Sequence, residues 1–118
     1  MTIPLKVTVE ELAARIPGPA TARWPQGERF AVGMTHGSML VELYDPGPAD
    51  TQQPHARDEL YVVVAGHGTF ERGDERVPFG PHDVLFVPAG MPHRFVDYTP
   101  DFRTWVVFYG PEGGETAR

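Results

Sequence analysis

The stretch QPHARDELYVVVAG, residues 53–66, sets a polar segment directly before the longest apolar run of the chain, Leu60 to Ala65. Six apolar residues with three consecutive valines, stopped by Gly66, have the form of a buried strand and fall far short of a membrane span. In extended chain, alternate residues share a face. Gln53, His55 and Glu59 therefore converge on one side of a sheet if the Ala56-Arg57-Asp58 link is extended or gently turned. That convergence offers a neutral amide, an imidazole and a carboxylate.

Outward from this stretch the period stays at two. Phe30–Met34, Ser38–Tyr44, Gly68–Arg72, Val84–Val87, Arg94–Asp97 and Phe102–Tyr109 all read as strands, parted by turn signals such as Asp45-Pro46-Gly47-Pro48, Gly73-Asp74 and Gly80-Pro81. Short strands at this spacing predict an all-β sandwich or barrel. Leu60–Ala65 and Gly68–Arg72 are expected to form a hairpin closed at Gly66-His67-Gly68, since glycine permits the positive φ of a tight turn; His67 would then be exposed. Ahead of the strands, Thr8 and Glu11 have capping-box spacing, and Val9, Leu12, Ala13 and Ile16 predict one short N-terminal helix that Pro17-Gly18 ends.

A chain of 118 residues with 13 Gly and 13 Pro has room for one core and none for long helices, so residues 1–118 are expected to be a single domain. The barrel core spans about 28–110, and the tail 111–118, without an aliphatic side chain larger than Ala117, is expected to be mobile. The formal net charge of −6 and the absence of any Lys/Arg cluster speak against nucleic acid and anionic membrane as partners. No cysteine is present, which suits a reducing compartment and leaves a metal only N and O donors. With no apolar segment near the N-terminus, a cytoplasmic protein is expected.

A further donor comes from Pro88-Ala89-Gly90-Met91-Pro92-His93, a Pro/Gly-rich turn that delivers His93 to the start of a strand. Two imidazoles and one carboxylate with coordination positions left over suit iron, manganese, zinc, nickel or cobalt as one divalent ion. His36, His67 and His82 all neighbour turn residues, where a solvated histidine is the ordinary case.

Here the sequence resembles the cupin superfamily. The family's first motif, G-x5-H-x-H-x3-E-x6-G, aligns on Gly47, Gln53, His55, Glu59 and Gly66, with Gln53 where the first histidine belongs. The second, G-x5-P-x-G-x2-H-x3-N, aligns on His82, Pro88, Gly90, His93 and Asp97, so the first glycine and the last asparagine are replaced. The resemblance implies a double-stranded β-helix, the cupin jelly-roll barrel, with a metal near its mouth held by Gln53, His55, Glu59 and His93. It also implies a tendency to form a homodimer.

Two functions fit. One is a small metalloenzyme, a dioxygenase or an isomerase or lyase, acting on a small oxygen-bearing or carboxylate substrate; Glu59 would be central to catalysis, and Arg57 would clamp a substrate carboxylate. The other is a non-catalytic domain that binds or senses a small ligand, its metal structural or absent. Arg57 reads equally as a solvated loop arginine or a salt-bridge partner of Asp58.

Overall fold

The computed structural model describes residues 3–116. Thr8 caps helix α1 (Val9–Ala13), its hydroxyl accepting from the Glu11 amide at 3.2 Å. The spacing predicts helix as far as Ile16, but beyond Ala13 the turn tightens, with Arg15 N bonded to Leu12 O and Ile16 N to Ala13 O. Pro17 accounts for this, because a residue before proline is pushed out of the helical region.

Eight strands follow: β1 (Phe30–His36), β2 (Met39–Tyr44), β3 (Asp58–Ala65), β4 (Gly68–Arg72), β5 (Glu75–Phe79), β6 (Val84–Val87), β7 (His93–Val96) and β8 (Arg103–Tyr109). They form two antiparallel sheets, a larger one in the order β1-β2-β8-β3-β6 and a smaller one in the order β5-β4-β7. Tyr44, Tyr61, Val63, Phe70, Phe79, Val87, Phe95, Phe102 and Val106 fill the space between them. Its aromatic rings meet edge-on or tilted, with Tyr61 and Phe95 centroids 4.9 Å apart at 83° and Phe95 and Phe102 centroids 4.6 Å apart at 48°. On the other face of the larger sheet, Leu12 of α1 packs on Ala31 and Leu43. The architecture is the all-β jelly roll with one short helix that the sequence predicts.

One expectation fails. The hairpin predicted between β3 and β4 does not form: β3 lies between β8 and β6, whereas β4 is the centre of the smaller sheet. Gly66 and His67 carry the chain from one sheet to the other. Gly66 has φ +92, and a Cβ there would lie 2.5 Å from the Phe102 Cα, so this glycine serves a close backbone pass and not a turn tip. His67, exposed as expected, ties the crossing to the 99–101 turn: its amide donates to Thr99 Oγ1 at 3.0 Å and its carbonyl accepts from Thr99 N at 2.9 Å. The hairpin belongs to β4 and β5 instead, closed at Gly73-Asp74 between the paired Arg72 and Glu75.

In the tail, Gly113 N donates to Ala56 O at 2.7 Å and Glu115 N to Asp58 Oδ2 at 2.8 Å, beside the start of β3. Residues 117 and 118 of that tail lie outside the described residues. Among the described residues, no helix is long and apolar enough to cross a membrane.

Candidate metal centre

Glu59 is the second residue of β3 in the larger sheet, and His93 is the first of β7 in the smaller. The end of the sandwich where these strands open thus receives a carboxylate from one layer and an imidazole from the other. His55 joins them from the loop before β3. One donor atom from each of His55, Glu59 and His93 falls within 4.8 Å of the others. Two backbone amides hold the carrying segments together, Gly90 N donating to the His55 carbonyl at 2.8 Å and Ala89 N to the Asp58 side chain at Oδ1, 2.9 Å.

Proton placement in this cluster follows from chemistry. His93 Nδ1 lies 2.8 Å from the Met91 carbonyl oxygen. A carbonyl only accepts, so Nδ1 carries a proton and Nε2 is the ring atom that meets the site, by its lone pair toward a cation or by a second proton toward an acceptor. That Nε2 stands 2.9 Å from Glu59 Oε1 and 3.0 Å from the Tyr61 hydroxyl. Glu59 is wholly buried, and neither of its oxygens has a hydrogen-bond partner unless His93 Nε2 carries a proton, which it then donates to Oε1 across 2.9 Å. Tyr61 offers a single proton, directed at Gln52 Oε1 at 3.0 Å. A buried carboxylate among acceptors calls for positive charge, from a second proton on His93 or from a cation. A divalent cation fits that deficit, and His55, Glu59 and His93 are the residues that could hold it.

Titration separates the two histidines. Burial pulls His93 toward the neutral form, but the adjoining Glu59 carboxylate and the Met91 carbonyl outweigh it and raise its pKa above the ordinary value, so without a cation the ring favours a second proton, at Nε2, facing Glu59. Burial lowers the pKa of His55 despite the attraction of Glu59, leaving a neutral ring able to ligate. Tyr61 is pushed well above its usual range by burial and by Glu59, so it stays a phenol.

The cluster opens into a cavity of about 350 Å³, within the range of small-molecule sites. Trp24, Phe30, Val106 and Phe108 form apolar wall, and Phe108 meets the His55 ring edge-on at 4.9 Å. Glu42, on β2, faces the same cavity; burial first, then the charges of Glu59 and Glu28, raise its pKa to about 8. Arg23 is the arginine on the cavity wall, fixed by Nη2 to Thr51 O at 2.9 Å and set over Trp24.

The sequence-predicted residues separate into two groups. His55, Glu59 and His93 come together. Gln53 is exposed and lines the same cavity wall, while its neighbour Gln52 is half-buried, with Oε1 3.4 Å from His55 Nε2. Arg57 lies outside the cavity: it donates to the Ser38 carbonyl, sits over the Phe108 ring and lines a separate hollow with Leu40 and Glu112. Sequence reasoning missed Glu42, Gln52 and Arg23. For Glu42 the signal was its parity with Tyr44, two residues away on the same strand; Gln52 and Arg23 stand in loops, where no periodicity marks a face.

Residues 40–107 match the family model described as cupin domain. An uncharacterised protein of Streptomyces coelicolor is 43% identical over 77 residues, which cover 64% of this chain and 73% of that protein. Among solved structures, a cupin 2 conserved barrel domain protein from Salinispora arenicola superposes with a TM-score of 0.58 at 20% identity, over 69% of this chain and 74% of the other. A predicted oxalate decarboxylase from Thermotoga maritima gives a TM-score of 0.55, also at 20% identity, over 68% and 77%. At such identities the two structures speak to the fold alone.

Proposed function

The chain belongs to the cupin domain family, and from that premise we propose that it is a metalloenzyme of the isomerase or lyase type, acting on a small oxygen-bearing or carboxylate substrate held in the cavity. The observation that carries this reading is the wholly buried Glu59 carboxylate, gathered with one donor atom each of His55 and His93 so that all three lie within 4.8 Å of one another. A divalent ion held by His55, Glu59 and His93 would polarise a substrate oxygen as a Lewis acid.

The remaining work falls to the chain's own side chains. Glu42, with a pKa raised to about 8, keeps a proton at neutral pH and faces the cavity, where it can pass that proton to a substrate atom and take one back. This acid inclines the reading toward proton transfer and away from a dioxygenase. Arg23 offers its guanidinium to an anionic group. Trp24, Phe30 and Phe108 keep bulk water from the acid.

The test begins with chelator-treated protein titrated with iron(II), manganese, zinc, nickel and cobalt. One equivalent should bind, and His55→Ala or His93→Ala should each abolish stoichiometric binding. Metal-loaded protein should then exchange solvent deuterium into one member of a panel of small hydroxy acids, keto acids and sugars, with Glu42→Gln slowing the exchange by roughly 10²–10⁴-fold. Full metal occupancy in either histidine variant, or exchange indifferent to the metal, would overturn the proposal.

A further inference from the structure

Resting on that metal-centre reading, we propose that the amide oxygen of Gln52, and not that of Gln53, is the fourth donor of the site, and that Asp50 is the positioning residue that aims it. Asp50 accepts from Gln52 Nε2 at 2.8 Å and from Gln52 N at 3.1 Å. A carboxylate only accepts, so the NH₂ end faces Asp50 and Oε1 faces the site. There Oε1 lies 3.4 Å from His55 Nε2 and 3.0 Å from the Tyr61 hydroxyl, which also stands 3.0 Å from His93 Nε2.

Asp50 cannot drift. It also accepts from the Tyr44 hydroxyl at 2.5 Å and from Phe95 N at 2.8 Å, so residues of both sheets fix it. Gln52 is half-buried at this position, whereas Gln53 is exposed. A neutral amide oxygen is a hard donor of the kind that divalent ions accept beside imidazole and carboxylate. With Glu59 as the anionic ligand, a neutral fourth donor leaves the site's net charge unchanged and restrains one more coordination position.

The experiment compares zinc affinity by chelator competition in wild type, Gln52→Ala and Gln53→Ala, each checked for an unchanged thermal melt. Gln52→Ala should weaken binding about tenfold and Gln53→Ala less than twofold. A second readout needs no substitution at Gln52: in ¹⁵N-labelled wild type, zinc should shift the Gln52 side-chain amide signals and leave those of Gln53 in place. Asp50→Asn should broaden the same Gln52 signals before metal is added. Equal affinity in wild type and Gln52→Ala, or a shift confined to Gln53, overturns the assignment while the three-residue centre stands. Failure of wild type to bind any of the metals overturns the centre itself and this inference with it.

Discussion

Glu42 and Glu59 bring two carboxyls to one cavity. Burial first, and then the charges of Glu59 and Glu28, raise the pKa of Glu42 from 4.5 to about 8. A raised carboxyl binds its proton in the folded state where the unfolded chain has already released it. Its contribution to stability is complete below about pH 4.5 and is lost as the pH climbs through 8, by about a few kcal/mol in all. For metal-free protein the urea midpoint should therefore fall between pH 5 and pH 8, and Glu42→Gln should flatten that slope. Zinc should lessen the slope only in part, by neutralising Glu59, because burial is the larger cause and stays; a slope unaffected by Glu42→Gln would contradict the account. Residue-level chemistry was legible in the sequence where a motif fixed the spacing, as at His55, Glu59 and His93. It was not legible where a face had to be inferred: residues 50–57 are loop, not extended strand, so strand parity pointed to Gln53 while Gln52 is the one half-buried beside His55. The motif's departures have a backbone reading. His82 and Asp97 stand where the family pattern has glycine and asparagine, and both hold positive φ, 73° and 52°. The pattern's residues are those that adopt such angles most readily, so this chain keeps the backbone and changes the side chain.

Strands announced themselves by alternation, but their partners did not. A Gly-x-Gly step between two strand patterns is the local signal of a hairpin, and pairing with β8 and β6 is a long-range property that no local pattern carries. Strand β5 escaped notice because Glu75, Arg76 and Pro78 read as a polar loop; an edge strand tolerates both the charge and the proline. The crossing at Gly66 yields a sharp expectation. Gly66→Ala must place a Cβ 2.5 Å from backbone at Phe102 and hold alanine at φ +92, which should cost about 3 kcal/mol or more. Gly90, with φ +77 but nothing within 4 Å of the added atom, should cost only about 1–2 kcal/mol as alanine. Thermal melts of the two variants decide the matter, and equal losses would mean that the close pass at Phe102 is not what Gly66 serves.

At the scale of the whole molecule, the centre is assembled across the opening of two sheets, and its precision depends on what keeps those sheets in register at that end. Tyr61, Phe70 and Phe95 pack beneath it, and His93 lies against Tyr61 and Phe70. Above this floor, Asp58 draws together the start of β3, the 88–91 turn and the segment at Glu115. The turn answers with two consecutive amides, Ala89 to Asp58 and Gly90 to His55. These neighbouring protons bridge the segment that carries His93 and the one that carries His55, so they form a gauge built into the backbone. Loading the centre should slow their exchange with solvent together, more than that of amides in the β4–β5 hairpin, and occupancy can be followed in unlabelled mixtures with a colourless metal and no substrate in hand.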